Sequence, residues 1–323
     1  MEELTFGLTK EEIEKLDEVE YQNNDLRIER KKDDWILEPL IPTKSIIILD
    51  GLGGSGKSWL AIDMAFSIGL GGEFLGRYPV RKQGTVLYFT AEETPERFVD
   101  RLDMITGAYG DNENLYWIST LDEKFPFGSS IFQKDSWKTT KTTKTARAIE
   151  YYINKRKPLL VVIDSLINFY GLDENNSGEA KLFYELLTSL IKKYKCSFLL
   201  LHHQTKESLR SLRDDDGIFR GSIVFREQAR QRITYRNIKF EHDGKTVSAR
   251  KISIEKANYF SPLLEDFPVY LRWSDGIHIY DEAFEKKAKE HEEAKKKFQP
   301  VKVKKDNKQG KTNGDTDLIG KNF

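Results

Sequence analysis

Apolar residues along this chain gather in short continuous runs separated by amphipathic ones. The runs at residues 46–49, 84–90, 158–164 and 197–202 show no polar alternation, the pattern of strands buried on both faces. A shorter run, Leu115-Tyr116-Trp117-Ile118, reads as a further strand. Between them lie segments with helical spacing: residues 59–68, a stretch with Phe98, Leu102 and Ile105 on one face, 145–155 and 181–193. Strands alternating with helices predict an α/β fold with a mostly parallel central sheet covered on both sides. From residue 232 the rhythm changes to period two, at 232–240, 246–254 and 269–273, with Asp243-Gly244 and Asp275-Gly276 as hairpin turns. An antiparallel β extension is expected at the C-terminal edge of that sheet.

The flanks differ from this core. Residues 1–34 are charged, and Thr9-Lys10-Glu11-Glu12 has the spacing of a capping box, so a helical N-terminal arm is expected, either solvated or packed on a neighbouring subunit. The core runs over 35–281, and 282–323 reads as a charged helix followed by a disordered Lys-rich tail. Gly69-Leu70-Gly71-Gly72 reads as a connection, and residues 122–145, with Lys-Thr-Thr repeats, as a polar flexible insertion.

Composition narrows the function classes. The chain has 323 residues, 38% hydrophobic and 32% charged, with a formal net charge of zero, so any nucleic-acid contact must be local rather than a global basic field. The single cysteine, Cys196, sits in an apolar run, where packing outweighs chemistry, and it has no disulfide partner in the chain. With no signal peptide and no apolar run of spanning length, a cytoplasmic protein without membrane contact is expected.

The chemistry begins at residues 45–58, SIIILDGLGGSGKS. A buried strand breaks into Gly51, Gly53, Gly54, Ser55 and Gly56 and closes on Lys57-Ser58, with Trp59 in the helix that follows. This is G-x-x-x-x-G-K-[ST] in its strand-before, helix-after context. Backbone N–H groups at a helix N-terminus make an anion nest for phosphate, Lys57 adds a positive charge, and Ser58 offers a hydroxyl to Mg²⁺. ATP and Mg²⁺ are the implied ligands. Asp164 ends a further strand, where a carboxylate can hold Mg²⁺ through water. Ser165 follows it rather than a glutamate, and Glu92-Glu93, at the end of the 84–90 strand, supply a carboxylate that could activate water or simply favour a helix N-terminus. His202-His203-Gln204 close the last parallel strand, where a polar group would sense the γ-phosphate. Further ligands at zinc spacing are missing, which excludes a metal centre of that kind. Residues 205–221 carry Lys206, Arg210, Arg213 and Arg220 around an acidic centre, a loop able to grip a phosphate backbone or an ordinary surface loop.

These motifs in this order resemble the RecA-like P-loop ATPases, and more narrowly the plasmid and phage RepA-type hexameric helicases, relatives of the DnaB group. The likeness covers about residues 35–281, in DGLGGSGKSWLA, VLYFTAEETPERF, LVVIDSLINFYGLDENNSGEA, LLLHHQTK, FRGSIVFREQAR and ISIEKANYFSP. It implies Lys57 and Ser58 on phosphate and Mg²⁺, Asp164 in the metal's outer shell, Glu92 as general base and His203 as phosphate sensor. It also implies Arg230 as an arginine finger presented to a neighbouring subunit, with Arg232 as the alternative, Lys256 as a second cation acting in trans, and 173–176 facing the nucleotide site. In DnaB relatives an arginine follows that lysine by two positions, whereas here it is Asn258. The implied protein is an ATP-hydrolysing homo-hexameric helicase or translocase on single-stranded DNA, in plasmid or phage replication, with any initiator or primase supplied by other chains. A RecA- or KaiC-like ATPase that binds DNA without unwinding it, and a nucleotide-gated assembly module, are the alternatives.

Overall fold

The computed structural model describes residues 9–17, 34–204, 223–242, 244–274 and 276–297. Helix α1 (Lys10–Asp17) starts directly after Thr9, where the capping spacing places it. A small antiparallel pair, β1 (Trp35–Leu37) and β2 (Ile41–Pro42), precedes β3 (Ile46–Leu52) and α2 (Lys57–Leu70). The miniature pair β4 (Glu73–Phe74) and β5 (Tyr78–Pro79) leads to β6 (Val86–Thr90), α3 (Pro95–Tyr109) and β7 (Leu115–Ser119). The hairpin β8 (Phe132–Lys134) and β9 (Thr140–Thr142) precedes α4 (Lys144–Arg156), β10 (Leu160–Asp164), α5 (Leu166–Tyr170), α6 (Ser177–Tyr194) and β11 (Ser197–Gln204). After α7 (Ile223–Gln228) come β12 (Gln231–His242), β13 (Lys245–Ala257), β14 (Val269–Ser274), β15 (Ile277–Ile279) and α8 (Glu282–Lys297).

Nine strands form one sheet in the order β15-β14-β13-β12-β3-β11-β10-β6-β7. From β12 to β7 every neighbouring pair is parallel, and from β12 to β15 every pair is antiparallel. This is the α/β architecture of a RecA-like P-loop core with an antiparallel extension. The continuous apolar runs have a direct cause: successive residues of each strand face opposite layers. Ile47, Leu49, Val162, Leu199 and Leu201 pack with Leu60, Met64, Phe98 and Ile105 on one side. Ile46, Ile48, Val161, Ile163 and Leu200 pack with Ile149, Ile153, Phe183 and Leu187 on the other. Cys196 is buried in that second layer and unpaired.

The structure departs from the sequence pattern in four places. Helix α2 runs through Gly69, so the glycine-rich connection starts later than its composition implies. The first strand of the extension, β12, pairs parallel to β3 before the meander turns antiparallel. The insertion at 122–145 is not a flexible loop, because Ile131 and Phe132 are buried and the β8–β9 hairpin is built on them. Finally, α8 docks on the extension, burying Phe284 and Ala288 against Phe240 and Tyr270, with Lys251 Nζ 2.5 Å from Glu292 Oε2. The expected tail beyond Lys297, most of the N-terminal arm, and the loop holding Lys206, Arg210, Arg213 and Arg220 lie outside the described residues. Among the described residues no helix is long and apolar enough to cross a membrane.

Because Phe284 carries the docking of α8, Phe284→Ala is expected to cost about 3 kcal/mol of stability. Urea denaturation reads this as a lower midpoint; an unchanged midpoint would show that α8 is held by its surface ion pairs instead.

Candidate active site

The glycine loop joins β3 to α2 at the C-terminal edge of the parallel strands, where ligands of open α/β sheets bind. Gly54 (φ +71°) and Gly56 (φ +100°) occupy the left-handed region that other residues rarely adopt. At Gly51 a side chain is excluded for another reason: a Cβ there would sit 2.5 Å from the Tyr235 carbonyl oxygen of β12. The loop is thereby a bare backbone cradle. Ser55 Oγ is buried in it with no hydrogen-bond partner.

Lys57 opens α2 and is 4% exposed. Its Nζ donates to the carbonyls of Gly51 (3.0 Å) and Leu52 (2.9 Å) and lies 3.0 Å from His203 Nδ1. Burial lowers its pKa, while Asp164, Glu92 and Asp50 oppose that shift. His203 in turn places Nε2 2.8 Å from Glu92 Oε1. A neutral imidazole with its proton on Nε2 satisfies both contacts, accepting from the ammonium and donating to the carboxylate. The imidazole thus joins the two groups in one chain.

Glu92 follows β6, its N–H donating to Thr90 Oγ1 at 3.3 Å. The hydrogen bond to His203 holds its carboxyl below the usual range; Ser165 adds to this and burial opposes it. Glu93 is engaged elsewhere, in a salt bridge with Arg101, and burial raises its pKa. Of the two candidate carboxylates, only Glu92 joins the Lys57 cluster. Asp164 closes β10 at 3% exposure, accepting from Tyr88 Oη at 2.7 Å and from Ser58. Burial raises its pKa and Glu92 adds to the rise, while Tyr88, Ser58 and Lys57 counter it.

Several expected residues stand elsewhere. The Trp59 indole packs edge-on against Trp273 (centroids 5.9 Å) and beneath the Arg101 guanidinium, so only its backbone belongs to the first turn after the loop. His202 is buried, its Nδ1 2.9 Å from Asp50, whose other oxygen accepts from Arg232. Arg232, the alternative finger, is 7% exposed and paired with Asp50 of β3. Arg230, by contrast, is exposed at the start of β12, its N–H bound to the Ile46 carbonyl. Lys256 pairs in register with Arg232 on β13 and donates to the Glu227 carbonyl at 2.7 Å. Residues 173–176 lead into α6. They cap α6, with Asn176 Oδ1 accepting from the N–H groups of Gly178 and Glu179.

Tyr88, Ser165 and Asn168 are the functional contacts that sequence reasoning passed over. Tyr88 read as one more apolar strand residue, although its position two before Thr90 puts it in register with Val162, near the strand end. Ser165 was legible only as a missing glutamate, yet it supports Glu92. Asn168 Nδ2 contacts both, at 3.2 Å from Ser165 Oγ and 3.4 Å from Glu92 Oε1.

The bare cradle, the orphaned Ser55 hydroxyl and the buried ammonium fit a triphosphate, and Ser58 beside Asp164 forms a hard-oxygen donor set suited to Mg²⁺. Residues 10–208, more than half of the chain, match AAA_25, described as an AAA domain. The chain belongs to the AAA_25 family. It is thus a P-loop ATPase-type protein, and the family implies a nucleotide and typically Mg²⁺ as its ligands. The AAA_25 match includes the glycine loop, Glu92, Asp164 and His203, and stops before Arg230 and Lys256.

The depressed Glu92 pKa has a definite sign in stability. Its contribution is present above the ordinary glutamate value of about 4.3 and is lost as pH falls through its lower folded value. The melting-temperature difference between wild type and Glu92→Gln should stay constant from neutral pH to about pH 5 and then shrink. A difference that grows on acidification would contradict the His203 assignment.

Proposed function

We propose that this chain is an ATP-hydrolysing ring-forming motor, a hexameric helicase or translocase of RepA type that moves on single-stranded DNA. The observation that carries the ring is the division of charged groups between two edges of one sheet. Lys57, Ser58, Asp164, Glu92 and His203 meet at the C-terminal ends of the parallel strands. Arg230 lies beside Ile46, at the opposite end of β3, roughly 17 Å along the strand from Gly51 at the usual rise per residue. Its guanidinium is out of reach of its own glycine loop and faces outward. Next to it Asn258 N–H binds the Arg230 carbonyl, and two residues further Phe260 is 87% exposed. An exposed cation beside an exposed aromatic ring is what a subunit contact would use. DNA as the track rests on the resemblance of the motif order, which is analogy.

In this reading the loop N–H groups and Lys57 bind the β- and γ-phosphates. Ser58 and Asp164 would hold Mg²⁺, which supplies charge neutralisation on the phosphate oxygens. Glu92 accepts the proton of the attacking water, and His203, at the end of β11, exchanges its Lys57 contact for the γ-phosphate. Arg230 of the neighbouring subunit stabilises the transition-state charge, worth roughly 10³–10⁵ in rate for known fingers.

Two experiments test it. Lys57→Ala and Arg230→Ala should each abolish ATPase activity, and mixing the two proteins should restore part of it; no recovery at any mixing ratio would defeat the trans assignment. ATP hydrolysis should rise with single-stranded DNA, and a forked duplex should be separated. Stimulation without strand separation favours the RecA- or KaiC-like alternative, and the absence of both effects defeats the motor reading.

A further inference from the structure

The β8–β9 hairpin carries a feature that neither the fold nor the ATP cluster uses. Trp137, at its tip, is 87% exposed. The tip is nevertheless closed by hydrogen bonds. Asp135 Oδ1 accepts from the N–H groups of Trp137 (3.0 Å) and Thr139 (2.9 Å), and its other oxygen pairs with Lys141 at 2.8 Å. At the base, Thr143 N–H donates to the Ile131 carbonyl and Ile131 N–H to the Phe169 carbonyl. The backbone carrying the indole is thus a hydrogen-bonded turn, and the large apolar ring is presented to solvent rather than buried.

At the foot of the hairpin lies a cavity of about 690 Å³ lined in part by Lys134, Lys144, Arg147 and Phe127, with no carboxylate in its lining. Asp135 and Glu179 pair with Lys141 and with Lys134. Lys138, Lys144 and Arg147 remain for an outside anion, and Lys144 Nζ sits 5.9 Å from the centre of the Phe127 ring. Cations interleaved with aromatic rings, one of them fully presented, match a flexible polyanion with unpaired planar rings.

We propose that this hairpin is a second nucleic-acid contact, with Trp137 stacked on a base of single-stranded DNA and Lys138, Lys144 and Arg147 on neighbouring phosphates. It is distinct in sequence from the 205–221 segment, and it rests on the single-stranded-DNA reading above. An isolated indole can stack only on an exposed base face, which selects single strand over duplex. The site also has a physical tie to hydrolysis. Phe169, which anchors the hairpin base, belongs to α5, the helix that directly follows Asp164-Ser165, and a Cβ on Gly171 would lie 2.5 Å from the Phe132 carbonyl oxygen.

The test uses the full chain and a fluorescein-labelled oligo(dT) of about 20 nucleotides, with binding read by anisotropy across a salt series. Trp137→Ala should weaken binding about tenfold, and Trp137→Phe should stay within about threefold of wild type. The Lys138→Ala/Lys144→Ala double variant should reduce the slope of log K against log salt by about 1.4. DNA-independent ATPase activity and melting temperature should be unchanged in all three. Wild-type affinity in Trp137→Ala, or an equal loss on a duplex of the same length, overturns the hairpin assignment alone. Wild-type protein that binds no oligonucleotide overturns it together with the motor reading.

Discussion

A buried ammonium sets the terms on which the strand ends of this protein can be arranged. Removing a charge from water is costly unless partners replace the lost solvation, and Lys57 finds two carbonyls, one imidazole and the field of three carboxylates. Those partners arrive on different strands: Asp50 on β3, Glu92 after β6, Asp164 on β10 and His203 on β11. Parallel pairing brings their C-terminal ends level, with Asp164 opposite Thr90 and His203 opposite Gly51. The sheet and the charge cluster thus stabilise each other. Buried carboxylates without Lys57 would repel, and Lys57 without them would be desolvated for no return.

The same balance explains why Glu92 and Asp164 differ in acidity although both are carboxylates near one cation. Asp164 is almost fully enclosed, and burial raises its pKa despite the donors Tyr88 and Ser58. Glu92 is half-buried and receives the Nε2–H of His203, which favours its charged form. A carboxylate kept ionised and polarised toward a phosphate site is suited to accept a proton from water. Its environment, more than its distance from the loop, separates it from Glu93.

Most of the fold was legible because parallel strands buried on both faces leave continuous apolar runs, and the glycine loop has one physical solution. Strand-end positions of Asp164, Glu92 and His203 followed from those runs. What the sequence hid depends on contacts between distant segments. Nothing local to Arg232 distinguishes it from Arg230, since positions two apart share a strand face; the difference is that Arg232 lies within β12 against Asp50 of β3, whereas Arg230 precedes the strand and is exposed. Trp59 reads as part of the loop motif, yet its ring belongs to a cluster with Trp273, more than two hundred residues away. The helix-capping role of Asn176 depends on where α6 starts, which the resemblance of 173–176 did not itself reveal. Likewise the Lys-Thr-Thr tract resembles low-complexity linker because the residues that order it, Ile131 and Phe169, lie outside it.

Strand β12 starts just after Arg230, at the outward edge, and carries Tyr235, whose carbonyl abuts Gly51 and whose ring lies beside Gly56. It is hydrogen-bonded to β3 on one side and β13 on the other, and Tyr235 Oη is tied through His278 to Asp63 of α2. A strand clamped on both flanks cannot slide without breaking a ladder. The outward edge and the glycine loop are therefore joined by one continuous hydrogen-bonded strand. A displacement of that strand relative to its neighbours would have to break hydrogen bonds on both flanks, so the cradle and the outward edge keep one fixed spacing in this fold.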